Sequence, residues 1–255
     1  MRNVKVHLFP DVKNIIVCGD IHGEFNALIY KLCVQYRMTD TLLIVAGDCG
    51  FGFENPGYYE QVFNRNSSRL EKANNWVAMI RGTHDDPSYF NDERIKHRRF
   101  RTIPDYDVIQ ARERNILCVV GAVSIDRIYR MEYDMKHSAS GIKTYWKDEV
   151  PYFDEHALDY VVRNFKIDTI ITHTAPSFCE LISKSGLSEW TLNDSNLIAD
   201  CDKERRTMDQ ILEYLKETGH TLAYWFYGHF HQSCSSRMND VLFTMLDIME
   251  FNELR

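Results

Sequence analysis

Ile15-Ile16-Val17-Cys18-Gly19-Asp20-Ile21-His22-Gly23 joins a hydrophobic run to a tight glycine turn that carries an aspartate and a histidine. The same grammar returns along the chain. Leu42-Leu43-Ile44-Val45-Ala46 leads into Gly47-Asp48, and Val77-Ala78-Met79-Ile80 into Gly82-Thr83-His84-Asp85. Thr169-Ile170-Ile171-Thr172 leads into His173, and Leu222-Ala223-Tyr224-Trp225-Phe226-Tyr227 into Gly228-His229-Phe230-His231. Short apolar runs closed by glycine turns read as buried strands. Each turn then sets an Asp or His at the carboxyl end of its strand, the edge where open α/β sheets build active sites. Five strands are expected to converge on one polar cluster.

Carboxylates and imidazoles together suit hard to borderline divalent cations such as manganese, iron, zinc or cobalt better than a thiolate site would. A magnesium-only site would use fewer histidines. Glycines beside the ligands let the backbone turn sharply and leave room for metals and phosphate. For His229 and His231, alternation along a strand end would point both side chains the same way, as a ligand pair requires.

In order, Gly-Asp-x-His-Gly, Gly-Asp, a Gly-x-His-Asp block, a lone histidine after a strand and Gly-His-x-His resemble the calcineurin-like metallophosphoesterases over residues 15 to 231. Gly121-Ala122-Val123-Ser124-Ile125-Asp126-Arg127, Trp146-Lys147-Asp148-Glu149-Val150-Pro151 and Thr172-His173-Thr174-Ala175-Pro176 are similar to a group of small bacterial and phage members. The resemblance implies a four-layer α/β/β/α sandwich and two divalent ions, manganese first among iron, zinc, nickel and cobalt. It implies that Asp20, His22 and His231 hold one metal, that His173 and His229 hold the other, and that Asp48 bridges them. A hydroxide shared by the two metals would attack phosphorus in line, while His84, the implied catalytic imidazole, would protonate or steady the leaving oxygen.

The chain departs from the family at Thr83, where an asparagine ordinarily completes the shell of the second metal. A natural variant with water in that place, an engineered weakening and a one-metal enzyme all fit this substitution. Thr174 stands where the group often has aspartate, an acceptor that can orient a ligating imidazole. Gly47-Asp48-Cys49-Gly50-Phe51 lacks the Asp-Arg-Gly of the phosphoprotein phosphatases, which argues against a Ser/Thr protein phosphatase.

Elsewhere the reading is broader. Arg127 and Arg130 are the arginines expected to touch substrate phosphate, because a planar guanidinium captures an anion bidentately. They lie in residues 126 to 157, which read equally as a lid over the metals and as a surface excursion. The aromatic stretch Phe51 to Tyr59 reads as a stacking rim or as core packing. The basic run Arg94-Ile95-Lys96-His97-Arg98-Arg99-Phe100-Arg101 reads as a solvated face or, less readily, as a phosphate contact. A net charge of -7 and a pI near 5.8 disfavour a large nucleic-acid footprint.

The 255 residues, 44% hydrophobic and 26% charged, fit one globular domain with a substantial core. Seven scattered cysteines without a Cys-x-x-Cys suggest reduced thiols and a cytoplasmic protein. Cys49, next to Asp48, reads as a small buried residue or as an oxidation-sensitive one. The amino terminus lacks an apolar stretch long enough for a signal peptide, and no run of about twenty apolar residues occurs, so a soluble protein off the membrane is expected. Helical spacing covers Asn26 to Tyr36, Tyr58 to Asn74, Phe153 to Phe165 and Glu204 to Thr218, with Gly219 as a stop. Strands around Val108, Leu117 to Val120 and Met245 to Phe251 are expected to form a second sheet.

Three functions remain in play: hydrolysis of a small phosphate monoester or diester, nucleic-acid cleavage or end processing, and metal binding without strong catalysis. The substrate and the oligomeric state are not legible at this level.

Overall fold

The structure, a computed structural model, describes residues 3–91, 95, 97–141, 143–183 and 187–255. A five-stranded sheet contains β2 (Asn14–Cys18), β3 (Thr41–Val45), β4 (Trp76–Ile80) and β5 (Phe100–Ile103) in parallel, with β12 (Phe251–Glu253) antiparallel beside β2. A seven-stranded sheet runs β1 (Val6–Phe9), β6 (Val108–Ala111), β7 (Arg114–Val119), β8 (Thr169–Thr172), β9 (Tyr224–Tyr227), β11 (Val241–Met245), β10 (Cys234–Met238). Within it β7, β8, β9 and β11 are mutually parallel.

Why two sheets stack follows from alternation. Ile15, Val17, Leu42, Ile44, Ala78 and Ile80 face one way and meet Ile109, Ile116, Cys118, Ile171 and Phe226 of the other sheet. Their neighbours Ile16, Cys18, Leu43, Val45, Val77 and Met79 face outward onto α1 (Phe25–Tyr30) and α2 (Pro56–Lys72). On the far side Leu117, Val119, Ile170 and Trp225 pack on α5 (Glu155–Asn164) and α7 (Leu197–Glu217). Because both faces of each central strand are buried, its sequence is a continuous apolar run. The result is the four-layer α/β/β/α sandwich.

Local chemistry sets the helix ends. Asn55 caps α2 by accepting from the Tyr58 N–H at 3.1 Å, with Pro56 in the first turn, and Asp154 caps α5 through Ala157 at 3.0 Å. Gly219 leaves α7 with φ of 82°, as its sequence position suggested. Three further α-helices among the described residues are α3 (Ser88–Asn91), α4 (Arg127–Lys136) and α6 (Leu187–Thr191).

β8 and β9 pair in the sheet of β6 and β7, so the five converging strands come from both sheets. One expectation is corrected. The stretch Met245 to Phe251 is not one strand: β11 ends at Met245, and β12 starts at Phe251 in the opposite sheet. The intervening turn crosses between sheets, where the Met249 N–H meets the Asp20 carbonyl at 2.9 Å. In addition, α7 begins at Leu197, two turns before Glu204.

Candidate metal centre

All five turns, four of them with glycine, leave carboxyl ends of parallel strands: Asp20 and His22 after β2, Asp48 after β3, Thr83 and His84 after β4, His173 after β8, His229 and His231 after β9. Backbone geometry there is unusual. His22, Asp48, His229 and His231 have φ of 44°, 47°, 69° and 50°. Left-handed backbone at non-glycine residues costs energy and is kept where surrounding structure enforces it, commonly at functional sites. It also corrects the reading of His229 and His231: both lie beyond β9, and they turn into different groups rather than side by side.

The two groups share Asp48. Ligand atoms of Asp20, His22, Asp48 and His231 lie within 4.8 Å of one another, and so do those of Asp48, His173 and His229. Asp20, fully buried, takes the His229 N–H on Oδ1 at 3.0 Å and faces His231 Nε2 with Oδ2 at 3.0 Å. His22 Nε2 lies 3.1 Å from His231 Nε2, two imidazole nitrogens aimed at one point. Close approach depends on glycine: a Cβ at Gly82 would stand 2.2 Å from Asp48 Oδ1, and one at Gly228 would stand 2.3 Å from Asp20 Oδ1.

Electrostatics favour a cation. His173 is fully buried, and its Nδ1 donates to the Ala46 carbonyl at 2.7 Å, which leaves the Nε2 lone pair aimed into the site. That Nε2 has no hydrogen-bond partner although Asp48 Oδ1 is 3.0 Å away. Burial opposes protonation of this imidazole, but Asp48 outweighs it and raises the pKa to about 10. Burial also opposes ionisation of Asp48, yet His173 and His84 hold it well below the usual carboxylate range. Burial, with His173 adding to it, pushes His229 down to about 3, so its neutral imidazole is ready to ligate. An orphaned buried nitrogen, two buried carboxylates and the neutral His229 imidazole are a donor set that fits divalent metal ions.

His84 stands beside the groups. Its Nδ1 is 2.8 Å from Asp48 Oδ2, its N–H donates to Asp48 Oδ1 at 2.8 Å, and Phe53 stacks on its ring with centroids 5.9 Å apart. Burial works against protonation, but Asp48 prevails and the pKa is raised. The Thr83 hydroxyl donates toward Asp48 at 3.2 Å and lies 3.1 Å from His84 Nδ1.

Arg127 and Arg130 are placed differently from the expectation. Arg127 lies 2.5 Å from Asp194 and 2.7 Å from Asp200. Arg130, buried, donates to the carbonyls of Thr83 at 3.1 Å and Thr144 at 2.8 Å and pairs with Asp126 and Glu149. Internal partners therefore occupy both guanidinium groups. The described part of residues 126 to 157 is anchored through them, with α4 at its start and Trp146 buried against Gly52.

Phe51 and Tyr59 pack in the core with Phe25, Phe63 and Tyr89, while Phe53 reaches the site. From the basic run, Arg98 reaches Glu71, while Arg99 and Arg101 lie over Trp76, itself at the start of β4 and thus at the strand ends opposite the metal residues. Arg94 and Lys96 lie outside the described residues. Cys49 is buried, burial raises its thiol pKa, and its sulfur contacts the Ile80 carbonyl, so packing is its role. Among the described residues no helix is long and apolar enough to cross a membrane.

Three acids went unassigned in the sequence. Asp85 accepts four backbone N–H groups, from Cys49, Gly50, Phe51 and Gly82 at 2.8–3.0 Å, and so clamps the Asp48 loop to the His84 loop. Glu149 joins Ser124 to Arg130. Glu204 accepts from the Val123 N–H and from the Thr174 hydroxyl at 3.0 Å. The last contact puts a carboxylate where Thr174 itself lacks one. Of the three, Asp85 alone carried a local signal, its place in the Gly-x-His-Asp block.

No curated protein matches the chain significantly. Solved structures similar to it include TT1561 of Thermus thermophilus, at 12% identity and TM-score 0.48, covering 93% of this chain and 90% of that one. Phosphopantetheinyl hydrolase PptH from Mycobacterium tuberculosis is 14% identical with TM-score 0.41, covering 94% and 90%. GAP50, described as the anchor in the inner membrane complex of Plasmodium, is 14% identical with TM-score 0.42, covering 92% and 71%. The model of the calcineurin-like phosphoesterases matches residues 13–233, a span that contains all seven candidate ligand and catalytic residues Asp20, His22, Asp48, His84, His173, His229 and His231, and the chain belongs to that family.

Proposed function

We propose that this protein is a metal-dependent phosphoesterase that hydrolyses a small phosphate monoester or diester. The observation that carries the reading is the pair of ligand groups sharing Asp48, with the orphaned His173 Nε2 aimed between them. Asp20, His22, Asp48 and His231 would hold one divalent ion, and Asp48, His173 and His229 a second. Such ions supply charge neutralisation at phosphoryl oxygens and acidify water near neutral pH.

The chain's own residues do the rest. Asp20 orients His231 and the His229 backbone, and the Ala46 carbonyl fixes the His173 tautomer so that Nε2 is the ligating atom. Against the opposing effect of burial, Asp48 favours a proton on the His84 imidazole, which would pass it to the leaving oxygen. Arg130, through the Thr83 carbonyl, keeps the His84 turn in register with Asp48. Manganese is the first ion to test.

The test is hydrolysis of p-nitrophenyl phosphate and bis-p-nitrophenyl phosphate by metal-stripped protein with manganese, nickel, zinc or magnesium restored. The expected result is metal-dependent turnover that Asp48→Asn abolishes, with the preferred ester deciding monoesterase against diesterase. Metal binding with no turnover of either ester would favour a sensing or scaffolding protein instead.

A further inference from the structure

The metal residues form only the floor of a larger cleft of about 710 Å³. Its size falls within the range of pockets that enclose a whole small ligand, roughly 300–1,000 Å³. Asp48, His84, His229 and His231 line the bottom. The side wall is apolar: Ile125 from the turn after β7, Leu181, Leu187 and Trp190 of α6, and Ile198 at the start of α7. Around the mouth the apolar surface continues. Tyr129 packs on Trp190 with ring centroids 6.5 Å apart and is 59% exposed, Ile198 is 54% exposed and Ile182 is 68% exposed. Large side chains kept in water beside a site mark a surface that something apolar covers.

This wall is tied to the floor. Gln232, next to His231, accepts from the N–H groups of Ile182 at 2.8 Å and Ser183 at 3.2 Å and donates to the Ser183 carbonyl at 2.8 Å. Arg205 donates to the carbonyls of Ala175, Pro176 and Cys179, the turn that follows His173. These bonds join Ile182 and Ser183 to the His231 turn, and Arg205 of α7 to the turn after His173.

Charge narrows what can enter. Among the described residues, Arg205 is the arginine lining the cleft and is spent on those carbonyls, and Arg127 and Arg130 behind it are spent on Asp194, Asp200, Thr83, Thr144 and Glu149. Asp126 and Asp202 line the same cleft. A polyphosphate or a nucleic-acid strand needs cations along its backbone, and among the described residues this wall offers carbon and carboxylate instead.

Resting on the phosphoesterase reading above, we propose that the substrate carries a single phosphate, bound over the metal residues, esterified to a planar apolar group seated against Trp190, Leu187 and Ile198. Aromatic stacking on Trp190 and burial on the aliphatic side chains recognise that group.

Methylphosphonate and 1-naphthylmethylphosphonate test this as competitive inhibitors of p-nitrophenyl phosphate hydrolysis by the manganese-loaded protein. They share one anionic head and differ only in the apolar group. The naphthyl compound is expected to bind roughly tenfold tighter or more, which is what burying an aryl group on such a wall gives. Trp190→Ala should erase the difference and Trp190→Phe keep most of it, with unaltered melting temperatures as the check on folding. Naphthalene fluorescence on titration into metal-free protein reads the wall without turnover, and inorganic triphosphate should bind no better than phosphate. Equal inhibition by the two phosphonates, or tight triphosphate binding, with hydrolysis intact would overturn this proposal alone. Absence of any ester hydrolysis would overturn the phosphoesterase reading beneath it.

Discussion

His173 Nε2 stands 3.0 Å from Asp48 Oδ1, while His173 Nδ1 is committed to the Ala46 carbonyl. Two lone pairs facing each other in a buried site demand a cation between them. In the metal-free protein that cation is a proton, which is why Asp48 outweighs burial and lifts His173 to about 10. A metal must displace it. Titration of manganese into metal-stripped protein near neutral pH is therefore expected to release about one proton or more, with affinity rising as pH rises. Calorimetry in buffers of different ionisation enthalpy reads the proton count; heat independent of the buffer would contradict this origin.

Thr83 offers a hydroxyl where the family has an amide oxygen, and that hydroxyl is turned toward Asp48 and His84. Thr83→Asn is expected to tighten binding of the second ion by roughly tenfold or more and to raise turnover. Metal titration of both forms checks it. Identical stoichiometry and affinity would show that Thr83 does not limit the site.

Arg130 is buried and joins Thr83, Thr144, Asp126 and Glu149, so removing it leaves carboxylates and carbonyls without a donor. Arg130→Met is expected to cost about 3–5 kcal/mol in urea unfolding and to lower kcat by loosening the His84 turn. Arg130→Lys should fall between, because an ammonium cannot span the same partners. Wild-type stability in Arg130→Met would remove the anchoring role.

Glu204 gives the metal-free protein a pH dependence. Burial raises its pKa from the usual 4.5 to about 8, so between those values the folded chain holds a proton that the unfolded chain has shed. Stability then falls as pH rises through that window. His173, raised from 6.5 to about 10, acts with the same sign: its contribution is complete below 6.5 and is lost as pH rises toward 10. The melting temperature of metal-stripped protein should decline from about pH 5 to pH 9, and Glu204→Gln should flatten the lower part of that decline. A variant whose profile runs parallel to the wild type would exclude Glu204 as the source.

Much of this centre was legible in the sequence because each part is local. An apolar run, a glycine and a ligand sit within a few residues, and period-two alternation divides Ile15 and Val17 from Ile16 and Cys18 between two core layers. Membership of a sheet is not local: β4 and β8 read alike, and only pairing separates them. Met245 to Phe251 reads as one apolar stretch, although the chain changes sheets within it. The arginines misled for the same reason. Nothing near Arg127 announces Asp194, 67 residues away, and nothing near Thr83 announces the guanidinium of Arg130, 47 residues on. The apolar wall is assembled from Ile125, Leu181, Leu187, Trp190 and Ile198, single residues whose spacing carries no period.

The most direct test of the two-ion centre is anomalous diffraction from crystals of the manganese-loaded protein. The expected map has two manganese peaks roughly 3.5–4 Å apart, with Asp48 touching both, His22 and His231 on one, His173 and His229 on the other. A single peak away from Asp48, or none at saturating manganese, would contradict the account.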